Sequence, residues 1–281
     1  MALPQDGPPP LALFSLEALN PRAAAVIADP SNSHLVSQYT TPEQRTFTVL
    51  NIGHVRSGLG GSATLATLGR TGDIHVQGTE IAKTRCSFEI DRKTKVVMFH
   101  DRSTSQSSQV FGEQTVPFEH GRIRTVVVNE KLNTIIGMGG VGRDLVKFRL
   151  CWHFDTVALP GKLAEREISR LQENPHLART VIGEDMVALA GMETRLHESG
   201  PRQRKIIWQS LRTLGVGRFG DVYAATNLFS GRRMAVKVLR VMAEPTNPAG
   251  PLPGQLRALL KREVEILSKM KHVSRALHVT K

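Results

Sequence analysis

Residues 146–154, Val-Lys-Phe-Arg-Leu-Cys-Trp-His-Phe, alternate apolar and polar side chains over nine positions. No other pattern in the 281-residue chain restricts its fold so tightly. Successive side chains of a strand point to opposite faces. The pattern therefore predicts one buried face made of Val146, Phe148, Leu150, Trp152 and Phe154, and one wet face apart from Cys151. Residues 94–100 and 123–129 add β-branched runs between polar turns. Short strands at this spacing predict an antiparallel β-sandwich over residues 43–155. Residues 137–142 spell GxGxxG but lead into the alternating strand, so they read as a glycine-rich hairpin turn. Residues 1–42, rich in Pro, Ala and Ser without a sustained period, are expected to be disordered.

A second constraint lies at residues 214–237, LGVGRFGDVYAATNLFSGRRMAVK. Gly215, Gly217 and Gly220 stand in a GxGxFGxV pattern followed by a strand-like run rather than a helix, so a dinucleotide loop is excluded. The glycines predict a β-hairpin tip whose backbone phosphates can approach closely. Residues 227–232 read as a turn, and Met234, Ala235, Val236 and Lys237 as a further strand. In residues 255–271 apolar side chains recur at helical spacing, and Glu263 sits inside that stripe with apolar neighbours one turn away on both sides. A carboxylate there needs a partner from elsewhere.

These residues resemble the start of a protein kinase domain: Leu214, Gly215, Gly217, Phe219, Gly220 and Val222 of a glycine-rich loop, then Ala235 and Lys237 of the A-x-K strand. The resemblance implies that they bind ATP, with Lys237 on its phosphates and Glu263 holding that lysine. Magnesium would follow only if a carboxy-terminal lobe were supplied. After Lys237 the sequence has 44 residues (281 − 237), with no HRD…N and no DFG. The expectation is an α+β kinase amino-terminal lobe over residues 206–281, truncated after its helix and not competent for phosphate transfer.

The sandwich carries its own resemblance. Gly69-Arg70, Asp73-Ile74, the run Thr84-Arg85-Cys86-Ser87 and the run Asp101-Arg102-Ser103-Thr104-Ser105 follow the outline of a forkhead-associated (FHA) domain. That family reads phosphothreonine peptides from loops at one end of a sandwich. By resemblance Arg70 and Arg85 meet the phosphopeptide, Thr84 supplies a hydroxyl, and Ser105 holds the peptide backbone. Arginine suits phosphate because its planar fork donates two hydrogen bonds at once. Two departures stand out: Ser87 replaces a histidine, and Ser105-Gln106-Ser107 replaces Asn-Gly-Thr.

An FHA module before a kinase domain is similar to fungal-type DNA-damage checkpoint serine/threonine kinases. The function implied is phosphothreonine-protein binding joined to an ATP-binding lobe. The alternatives are a non-catalytic phospho-dependent adaptor and a basic nucleic-acid-binding protein. Net charge is +12, and residues 201–281 hold all of the excess, 16 Lys and Arg against four acids. Aromatics make up only 5% of the chain, which argues against a single-strand nucleic-acid surface. Two cysteines without a CxxC pair, no membrane-length apolar run and no signal-peptide pattern lead us to expect a nuclear or cytoplasmic, non-secreted protein without a membrane partner. Residues 156–205 read as a helical and flexible linker, with helices at 162–173 and 184–197.

Overall fold

The computed structural model describes residues 8–40, 46–118, 124–139, 145–155, 157–173, 207–217 and 220–239. The chain divides into two units, Met1–Arg204 and Lys205–Lys281, close to the boundary expected at residue 206.

The first unit is built of two sheets. One has six strands in the spatial order β2 (Val36–Thr40), β3 (Thr46–Ile52), β1 (Phe14–Ala18), β11 (Val146–Trp152), β10 (Ile135–Met138) and β8 (Gln109–Phe111), every neighbouring pair antiparallel. The other has five: β5 (Ile74–His75), β4 (Thr64–Gly69), β6 (Cys86–Ile90), β7 (Val97–Asp101) and β9 (Thr125–Val128), of which only the short β4–β5 pairing is parallel. The sheets face each other. Phe14 on β1 meets Phe88 on β6 edge-on with centroids 5.0 Å apart, and Cys86 Sγ on β6 lies 3.9 Å from Met138 Sδ on β10. Val146, Phe148 and Leu150 are buried, as the alternation of β11 predicts. The expected strands at 94–100 and 123–129 are shorter than their sequence runs. Residues 91–94 instead form a turn in which Asp91 Oδ1 accepts from the amides of Lys93 and Thr94 at 3.0 and 2.8 Å.

The expected disorder of residues 1–42 is wrong for residues 14–40. β1 runs through the middle of the six-stranded sheet, with Phe14 and Leu16 fully buried. Its alternation lasts only five residues, too few to stand out between prolines. After it, Asn20 caps helix α1 (Pro21–Ile27), its Oδ1 accepting from Ala23 N at 3.0 Å. Asp29 caps a 3-10 helix (Pro30–Leu35) through Ser31 N at 2.9 Å. Proline at the first position suits both, because that amide has no partner within a helix. The expected linker opens with the helix foreseen at 162–173, which starts three residues earlier (162 − 159). Helix α2 (Leu159–Glu173) buries Leu159, Leu163 and Arg166, and Arg166 Nε donates to the Gly53 carbonyl. The expected helix at 184–197 lies outside the described residues.

A polar chain crosses the outward side of the six-stranded sheet. Asn51 Nδ2 donates to the Leu35 carbonyl at 3.1 Å and to Ser37 Oγ at 2.7 Å, so its Oδ1 must accept the Ser15 hydroxyl at 2.7 Å. That uses the only proton on Ser15. His153 Nε2, 2.9 Å from Ser15 Oγ, is therefore the donor of that contact. The serine proton points away from the histidine and Ser15 is fully buried, so the pair is no nucleophile. Burial lowers His153 from 6.5 to about 4.

The unfolded chain thus takes up a proton at residue 153 before the folded one does. Stability from this site is complete above pH 6.5 and declines as pH falls toward about 4. His153→Gln keeps an N–H donor without a titrating group. It is expected to flatten the acid-side fall of the melting temperature across that window, measured by circular dichroism.

The second unit shows one antiparallel sheet, β12 (Trp208–Gly217), β13 (Gly220–Asn227) and β14 (Arg233–Leu239), in that order. Asn227 Oδ1 accepts from Phe229 N and Ser230 N at 2.9 and 3.0 Å and shapes the turn that leads toward β14.

Candidate anion-binding site

The site starts from a glycine that nothing larger can replace. A Cβ on Gly69 would lie 2.2 Å from the Lys83 carbonyl oxygen and 2.9 Å from Arg85 N. Its absence lets residues 82–85 lie flat against the end of β4. Arg70 N donates to Ala82 O at 3.1 Å, Thr71 N to Lys83 O at 3.0 Å, and Arg85 N to Leu68 O at 2.7 Å. The turn that follows is held by Asp73. Its carboxylate accepts from Ser57 Oγ at 2.6 Å, from Thr67 Oγ1 and N at 2.8 Å each, and from Gly58 N at 2.8 Å. Partial burial works to raise this carboxyl, but the hydrogen bonds outweigh it and hold it below the usual carboxylate value.

A second loop, residues 102–108, leaves β7 at the same end of the five-stranded sheet, since Cys86 pairs with Asp101. Asp101 organises it: Oδ1 accepts from Ser103 N and Oγ at 3.0 and 2.6 Å, and Oδ2 from Ser108 N at 3.2 Å. At its tip Gln106 has φ +47°, in the left-handed region. From behind, Arg124 donates to the carbonyls of Gln106 and Ser108 and lies over the Phe118 ring at 4.5 Å.

Arg85 ties these loops together. It is only 2% exposed, the bulkiest of the fully buried side chains. Nη1 donates to Ser105 Oγ at 3.2 Å and reaches Glu80 O at 3.4 Å, while Nη2 donates to Ser107 Oγ and to the carbonyl of Gly139 at the end of β10. The structure thus brings Arg85 and Ser105 into contact, with Thr84 half-buried beside them and Arg70 exposed on the neighbouring segment. Ser87, where the resemblance calls for histidine, is buried. It donates to Glu89 Oε1 at 2.8 Å and accepts from Arg102 Nε at 3.1 Å. Arg102 also pairs with Glu89, so a serine, an arginine and a glutamate brace this strand end.

Sequence reasoning named Ser107 only as a departure from the Asn-Gly-Thr pattern and passed over Arg124 and Gly139. Only Gly139 carried a signal, its glycine-rich surroundings, and those are explained by the hairpin between β10 and β11.

In the second unit the cross-strand register sets Gly215, Val222 and Lys237 in one row, and Ala224 opposite Ala235. Gly217 pairs with Gly220, whose φ of +153° favours glycine. Among the described residues, a Cβ at Gly215 would meet nothing within 4 Å, so the backbone there is open to approach. Leu214 sits at a bulge and is 50% exposed. Phe219 and Glu263 lie outside the described residues. The chain matches no protein-family model, no curated protein and no solved structure.

The loop tip yields a test of this geometry. Holding an L-residue in the left-handed region costs roughly 1–2 kcal/mol. Glycine removes that cost but loses about 0.5–1 kcal/mol of chain entropy. Gln106→Gly is therefore expected to stabilise the sandwich by about 0.5–1 kcal/mol in denaturant titration, and Gln106→Val to destabilise it.

Proposed function

We propose that the sandwich reads phosphothreonine peptides through the loops around Arg85, and that it is joined to the nucleotide-binding lobe of a serine/threonine kinase. The carrying observation is the convergence of residues 70–71, 82–85 and 102–108 at one end of the five-stranded sheet, with Arg70, Thr84, Arg85 and Ser105 among them. The left-handed Gln106 adds support, because it stands where the resembled Asn-Gly-Thr pattern has glycine. Arginine and hydroxyl side chains beside open loops are the chemistry that captures a phosphate dianion.

The second part rests on the three-stranded sheet, whose glycine hairpin and Lys237 share a row across Val222. ATP is the ligand proposed there. Its magnesium would need an aspartate that the resembled family carries downstream of the lysine. The reading makes the protein a signalling molecule that docks on phosphorylated partners, of the checkpoint-kinase kind, in the nucleus or cytoplasm.

Two measurements check these readings. The 281-residue chain is expected to retain phosphothreonine peptides over their unphosphorylated twins on an array, and Arg70→Ala to weaken that retention at least tenfold. Equal retention of both peptide sets would refute the phosphopeptide reading. With radiolabelled ATP and a generic acceptor protein, the same chain is expected to transfer no phosphate. Transfer that vanishes in Lys237→Met would show that its catalytic groups lie elsewhere in these residues.

A further inference from the structure

Resting on the phosphopeptide reading, we propose that Arg85 does not touch the phosphate but positions the loops from within, and that Lys83 joins Arg70 as the direct anion ligand, with the Thr84 hydroxyl beside them. Both terminal nitrogens of Arg85 are already engaged, by Glu80 O, Ser105 Oγ, Ser107 Oγ and Gly139 O. Its remaining donor, Nε, is buried and has no partner among the described residues. A phosphate could reach this guanidinium only by parting the loops that it holds. A charge so deep depends on the hydrogen bonds of its two terminal nitrogens; breaking them leaves it uncompensated.

Outside the clasp the situation is reversed. Arg70 and Lys83 are both exposed, and they lie on two segments joined by Arg70 N to Ala82 O and Thr71 N to Lys83 O. Thr71 Oγ1 also reaches Lys83 O at 3.3 Å, which anchors the backbone beneath that lysine. Two exposed cations on adjoining segments, with the half-buried Thr84 next in the chain, are reachable by an anion at the rim without loop opening. The division of labour is a rim that binds and an interior arginine that keeps the rim assembled.

Charges in direct contact with an anion make binding depend on salt, whereas a buried brace does not. The experiment measures fluorescence anisotropy of a degenerate phosphothreonine peptide library and its unphosphorylated twin. It uses the 281-residue chain at low and high salt, alongside thermal melts and deuterium exchange of residues 102–108. Arg70→Ala and Lys83→Ala are each expected to weaken phosphopeptide binding about tenfold, to flatten its salt dependence and to leave the melting temperature in place. Arg85→Lys is expected to lower the melting temperature and to speed exchange in residues 102–108. The salt dependence of whatever binding remains should be unchanged. Arg85→Lys with a wild-type melting temperature and a flattened salt dependence overturns the positioning role, and Lys83→Ala with wild-type affinity overturns the rim assignment. A wild-type chain indifferent to phosphorylation overturns the phosphopeptide reading itself.

Discussion

Phe14 is where the two sheets are pinned together. Its ring lies 5.0 Å from Phe88 of the opposite sheet and 4.7 Å from Trp152 of the neighbouring strand, and it is fully buried. Phe88 continues to Phe99 at 5.2 Å, and Phe99 to Phe118 at 6.0 Å. The aromatic row thus crosses from the middle of one sheet to the loop above the other. Aromatic pairs at such distances contribute about 0.5–1.5 kcal/mol beyond the area that they bury. Phe118 in turn carries the guanidinium of Arg124, which holds the 102–108 loop. A continuous series of contacts therefore runs from Phe14 in the core to Gln106 at the loop tip.

The loop end keeps two arginines in surroundings unfavourable to charge. Arg85 is buried and Arg124 has little exposed side chain, and each is matched by carbonyl oxygens, hydroxyls or a carboxylate from segments distant in sequence. Desolvation lowers Arg124 from its usual value while Asp101 acts to raise it. Such groups stabilise little by themselves, since desolvation offsets attraction. What they supply is definition, because any other arrangement of the loops would strand a charge.

Much of this was legible in the sequence. The strand at 146–154 was plain because nine alternating residues outweigh any local accident, and the structure ends it two residues early, at Trp152. Residues 14–40 were not legible as folded. β1 lasts five residues and takes its stability from strands paired on both sides, a tertiary effect that no local window contains. The Asn20-Pro21 and Asp29-Pro30 pairs were the available clues, each a cap followed by a proline. At the site, the resemblance to the FHA outline singled out Arg70, Thr84, Arg85 and Ser105. Depth could not be read: nothing local distinguishes an arginine on the rim from one whose partner, Gly139, is 54 residues away.

The pairing of β1 with β11 has a temporal consequence. Phe14 pairs with Trp152 at one end of the β1–β11 ladder, so the first and last strands described in this unit are neighbours. On the ribosome, the amino-terminal strand must wait for nearly the whole module to emerge before one of its two edges is covered. β3 can pair with it sooner, which leaves a hairpin-like fragment with an open flank. Non-local closure of this kind slows folding and lengthens exposure to wrong partners. β1 is thus paired on both sides only once β11 is available.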